Sequence, residues 1–129
     1  MLRDPRAAQS VEDALLYLDG ERYRLLAWVV MPNHVHTLFE IIAGHSLSRI
    51  MQSLKVRTAR ECNRLLGTTG RFWEPEYYDR FIRNERHLIS TILYIHSNPV
   101  VAGLVSQPEL WSFGSARRVA TSDSVYHSE

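Results

Sequence analysis

Two β-prone runs, Tyr23 to Val30 and His34 to Ile42, are separated only by Met31-Pro32-Asn33. No other feature constrains the fold of this chain so tightly. Both runs are rich in β-branched, aromatic and aliphatic residues, and Pro32-Asn33 supplies turn chemistry between them. The pattern predicts two antiparallel strands. The first is so apolar that it is expected to be central and covered on both faces. Strand side chains alternate, so His34, His36 and Leu38 share one face of the second strand, while Val35, Thr37 and Phe39 share the other. Two imidazoles one pleat apart can hold a single divalent ion, because a neutral ring nitrogen offers a lone pair near pH 7. The competing reading is a pair of half-exposed histidines beside a turn.

Helical periodicity surrounds this hairpin. Ser10 to Leu18 reads as a short helix, with Ser10 as cap, Asp13 in capping-box position and Val11, Ala14, Leu15 and Leu18 as its apolar stripe. A longer helix is predicted from Leu47 to Leu66, capped by Ser46 and stopped by Gly67. Leu47, Ile50, Met51, Leu54, Cys62, Leu65 and Leu66 form its core side. Its other side carries Arg49, Lys55, Arg57, Arg60 and Arg64, with Glu61 as the helix's one acid. Such a side is either a solvated face or a surface for phosphates, and the scarcity of acids favours the second.

From Thr68 to Arg83 aromatics alternate with arginines: Arg71, Phe72, Trp73, Tyr77, Tyr78, Arg80, Phe81 and Arg83. Residues of these two types can stack unpaired bases and neutralise phosphates, or simply fill gaps in a small core. A last helix is predicted from Glu85 to Ser97, capped by Asn84 and ended by Pro99. Leu88, Ile89, Ile92, Leu93 and Ile95 are its expected buried side. His87, Thr91, Tyr94 and Asn98 then share a stripe, with Tyr94 and Asn98 one turn apart. Trp111 and Phe113 are expected to pin the carboxyl end to the core.

At 129 residues the chain suits one domain, taken as 1–118, with a disordered tail over 119–129. An apolar fraction of 45% and a charged fraction of 22% fit a soluble globular protein, and no apolar stretch is long enough to span a bilayer. The amino terminus has no apolar signal region. Cys62 is the only cysteine, so no internal disulfide can form, which fits a reducing cytoplasm. The net charge of +1 does not announce a polyanion partner, so charge distribution carries more weight than the sum.

A phenol, an amide and two imidazoles form a sensible kit for attacking a phosphodiester, and the wider pattern strengthens that idea. WVVMPNHVH, SLSRIMQSLK, RFWEPEYYDRFIR and YIHSNPVVAGLV occur in that order within Gln9 to Ala116. This series closely resembles the REP-associated tyrosine transposases of the HUH superfamily, named for a His–hydrophobic–His motif. The resemblance implies an α+β fold in which helices flank an antiparallel sheet of ferredoxin-like or RNA-recognition-like architecture. It implies cleavage and joining of single-stranded DNA near hairpins through a 5′-phosphotyrosine. In that scheme His34 and His36 look like metal ligands, Asn98 like the third ligand and Tyr94 like the nucleophile. The implied metal is Mg²⁺ or Mn²⁺, with Zn²⁺ a weaker fit.

The implied setting is a prokaryotic cytoplasm, close to the nucleoid. Arg49, Lys55, Arg57, Arg60, Arg64, Arg71, Trp73, Arg80 and Arg83 are the candidate DNA contacts. Because the chain starts near the first helix, the first strand of the family's sheet is expected to be missing, which leaves a gap or an open edge. A monomer, or a homodimer formed by strand exchange at that edge, would follow. Two rivals stand beside this reading. One is a shortened or repurposed hairpin-DNA-binding protein without catalysis. The other is a metal-dependent phosphodiesterase that uses activated water, with Tyr94 packed in the core.

Overall fold

The computed structural model describes residues 4–32, 34–67, 74–78 and 84–118, the stretch 74–78 as a backbone strand. In chain order the elements are α1 (Pro5–Tyr17), β1 (Tyr23–Val30), β2 (His34–Ile41), α2 (Leu47–Leu66), β3 (Glu74–Tyr78), α3 (Glu85–Val101) and a 3₁₀ turn at Pro108–Leu110. The class is α+β, with a three-stranded sheet in the order β1-β2-β3 among the described residues. The expected antiparallel hairpin is present: Val30 pairs with Val35 and Tyr23 with Ile41. β3 departs from the expectation of a wholly antiparallel sheet. It lies parallel to β2, with His34 opposite Glu74 and His36 opposite Glu76. Parallel neighbours need a long crossover, and α2 supplies it.

α1 starts earlier than the Ser10 expectation. Asp4 caps it by accepting the Arg6 N–H at 2.9 Å, and Pro5 fills the first turn, where a missing N–H costs nothing. Ser46 and Gly67 bound α2 as predicted, Gly67 taking the left-handed conformation at φ 66°. α3 continues through Pro99 to Val101 rather than ending there. Pro99 is buried in line with Thr91 and Ile95, so packing offsets the lost backbone bond. The helix stops instead at Gly103, in left-handed conformation, with its N–H bonded to the Val100 carbonyl at 2.9 Å.

The sheet separates two cores. On one face α1 and α2 pack Val11, Leu15, Ile50, Leu54 and Cys62 against Tyr23, Trp28, Val30, Val35 and Phe39. On the other, Ile95 of α3 meets Ala27, Val29, Met31 and Leu38, flanked by Leu88, Ile92 and Trp111. The predicted burial of Ile89 and Leu93 does not hold: they are 49% and 60% exposed. α3 touches the sheet along a narrow line, which leaves those side chains beyond reach. A bulge between Leu25 and Ala27 lets β1 serve both cores. It switches alternation, so Tyr23 and Leu25 face the same core as Trp28 and Val30, while Leu26 is left outward.

Glu12 is buried at 3% exposure and accepts the Trp28 Nε1–H at 2.9 Å, with Arg118 3.6 Å from its carboxylate. Glu12→Ala would leave a buried indole donor and the arginine without their acceptor. A loss of about 1–3 kcal/mol in unfolding free energy is expected in a denaturant melt.

Candidate active site

β2 and α3 meet over the smaller core, and there the two separated motifs come together. The His34 and His36 rings adjoin edge-to-face with centroids 4.7 Å apart. Strand alternation places both on the α3 side, as the sequence predicts. His36 is buried at 2% exposure, because Val29 pairs with it across the ladder and α3 covers it. Tyr94 reaches it from α3, ring edge to ring face, with centroids 5.8 Å apart. The Tyr94 side is half exposed, so the cluster opens to solvent along one flank.

Asn98 sits one turn beyond Tyr94, and its Nδ2 donates to the Tyr94 carbonyl at 3.0 Å. That bond uses the amide nitrogen and leaves Oδ1 as the atom able to face a cation. Two imidazoles and an amide oxygen are donor types that first-row divalent ions accept, the oxygen being the harder donor preferred by Mg²⁺ and Mn²⁺. Among the described residues no cluster of three or more His, Cys, Asp or Glu assembles. The β2–β3 ladder nonetheless sets Glu74 and Glu76 at the register positions of His34 and His36. That placement was invisible in the sequence, since parallel pairing leaves no tight-turn signal between its strands.

The predicted DNA contacts divide. Arg49, Lys55, Arg57, Arg60 and Arg64 all lie on the exposed side of α2. Arg57 stacks over the Tyr17 ring at 4.3 Å from its centroid, and Arg64 pairs with Glu61. Since α2 packs on the face opposite the histidines, the fold does not bring this basic surface to the His–Tyr cluster. Together with α1 it walls a groove of about 1080 Å³ lined by Arg6, Asp13, Tyr17, Arg57 and Arg60. Arg71, Trp73, Arg80 and Arg83 lie outside the described residues, as does the tail 119–129.

His96 and Ser115 also meet beside this site. His96 Nε2 stands 2.7 Å from Ser115 Oγ, and burial holds the imidazole pKa below its ordinary value. Their contact spans two distant segments, so spacing could not reveal it.

Residues 11–98 match the family model described as IS200-like transposase. A REP-associated tyrosine transposase of Escherichia coli (strain K12) is 27% identical over 112 residues, covering 85% of this chain and 65% of that protein. A Haemophilus influenzae protein provisionally given the same description is 26% identical over 106 residues, covering 74% of this chain and 60% of that protein. The chain thus spans less than two thirds of the length of these curated relatives. No solved structure matches it. Among the described residues no helix is long and apolar enough to cross a membrane. With a matching model that runs from within α1 to Asn98 and so takes in both halves of the His–Tyr cluster, this chain belongs to the IS200-like transposase family.

Proposed function

We propose that this protein cuts and rejoins single-stranded DNA beside a hairpin, using Tyr94 as nucleophile next to the His34–His36 pair. The observation that carries this reading is the Tyr94–His36 ring contact, which unites motifs distant in the chain on one open flank of the sheet. His34, His36 and the Asn98 oxygen would hold Mg²⁺ or Mn²⁺, which when bound would polarise the scissile phosphate and stabilise charge on its oxygens. The Tyr94 oxygen attacks phosphorus and gives up its proton. The bond from phosphorus to the 3′ oxygen breaks, and that oxygen leaves as a 3′-hydroxyl. The 5′ phosphate stays on Tyr94, and because a phosphodiester is conserved, a second 3′-hydroxyl can reverse the step and join strands. The half exposure of Tyr94 leaves room for a strand to approach. The relatives' shared name supports a hairpin of the REP kind as the element recognised.

The basic side of α2 supports a non-catalytic alternative, in which the chain grips hairpin DNA from the opposite layer. One assay separates the two. Labelled hairpin DNA with a single-stranded flank is incubated with the protein and Mn²⁺, then resolved on a denaturing gel. A covalent adduct that needs the metal is the expected outcome. Tight binding without an adduct would replace the nuclease with the DNA-binding reading.

A further inference from the structure

α3 is held to the sheet on two sides of its axis. Tyr94 projects toward His36 on β2, while His96, two residues on, projects toward β1 and meets Ser115. Ser115 is buried at 3% exposure, and its hydroxyl is tied to both backbone groups of Trp28: it accepts the N–H at 3.0 Å and donates to the carbonyl at 3.2 Å. A hydroxyl has one proton and two lone pairs, so an Nε2–H from His96 completes its bonding. The segment carrying Ser115 follows the outer edge of β1. Trp111 Nε1 donates to the Val30 carbonyl at 2.9 Å, the Val30 N–H donates to the Phe113 carbonyl at 2.8 Å, and Gly114 bridges Val29 antiparallel. Gly114 suits this close approach, since a Cβ there would sit a tight 3.3 Å from the Trp28 carbonyl oxygen. The outer edge of β1 is thereby covered, and Ser115 is fixed in the frame of that strand.

These contacts close a ring. From Tyr94 it runs along α3 to His96, across to Ser115 and Trp28, through the Val29–His36 pairing, and back from His36 to Tyr94. We propose that the His96–Ser115 latch is a positioning device that sets the roll of α3 and so places Tyr94 against the histidine pair. Apolar packing alone defines that roll loosely: Ile89 and Leu93 are exposed, Leu88 and Ile92 are only partly buried, and Ile95 and Pro99 are the apolar side chains that α3 buries. The inference rests on Tyr94 being the nucleophile, and its test includes a readout independent of that role.

His96→Leu and Ser115→Ala remove the bond while keeping the packing roughly filled, and His96→Gln keeps a side-chain N–H at similar reach. In the full chain without DNA or metal, the nuclear Overhauser effect between the Tyr94 and His36 rings is expected in the parent and in His96→Gln. It should weaken in His96→Leu and Ser115→Ala. With Mn²⁺ and hairpin DNA, those two variants should form adduct about 10- to 100-fold more slowly at unchanged DNA affinity, with His96→Gln near the parent rate. An undiminished ring-to-ring effect in both latch-breaking variants overturns the latch. Failure of the parent to form adduct removes the nucleophile reading instead, and the ring contact then decides the latch alone.

Discussion

Tyr94→Phe is expected to abolish covalent attachment to DNA, by at least about 10³-fold, while binding and folding stay intact. The change deletes one oxygen and keeps the ring that meets His36 nearly at right angles, 5.8 Å between centroids. Tyr94 is 50% exposed, so the deletion opens no core cavity, and stability should move by no more than about 0.5 kcal/mol. A denaturing gel reads the adduct, while a thermal melt and a hairpin-DNA titration serve as controls. A variant that melts and binds like the parent yet forms no adduct assigns the nucleophile. Adduct retained by the phenylalanine variant would move that role to another hydroxyl or thiol. A catalytic hydroxyl on a half-exposed ring predicts this separation of chemistry from stability; a tyrosine packed in the core, as the activated-water reading requires, would instead cost stability on losing its hydroxyl and leave cleavage unchanged.

Local signals in the sequence were reliable where the structure depends on local physics. The hairpin, the Ser46 and Gly67 boundaries of α2 and the facing of His34 and His36 follow from alternation, capping and turn chemistry. Departures arise where distant packing decides. Pro99 remains helical because Thr91, Ile95 and Pro99 share a buried line. The bulge at Leu26 changes which side chains of β1 face which core, and periodicity within one strand cannot display it. The pairing of β3 with β2 depends on a crossover through all of α2, and its direction has no local signature. In the site, each motif was legible by itself and their chemistry suggested a joint role, but the Tyr94–His36 contact is tertiary and no spacing within either motif displays it. The basic side of α2 was equally legible as a charge pattern. Its layer was not, because the pattern of one helix cannot say which face of a sheet it covers.

That division into two cores gives the largest stability effects and lets them be told apart by function. Phe39 is fully buried between the sheet and the α1–α2 layer, its ring centroid 4.9 Å from that of Tyr23. Phe39→Ala should cost about 3–5 kcal/mol, and Ile95→Ala about 2–5 kcal/mol on the other face. Either is a large share of the roughly 5–15 kcal/mol that holds a domain of ordinary size folded, so both should show clearly lowered midpoints in a urea melt. At a temperature where both variants remain folded their consequences diverge. Phe39 lies beneath the opposite face, so its removal should leave the Tyr94–His36 contact and adduct formation close to parent values. Ile95 is the apolar anchor of the helix that carries Tyr94, and its loss should loosen that helix and slow adduct formation beyond what the unfolded fraction explains. Equal effects on the site from both variants would mean that the two cores act as one unit, and that Tyr94 is held by global stability rather than by its own layer.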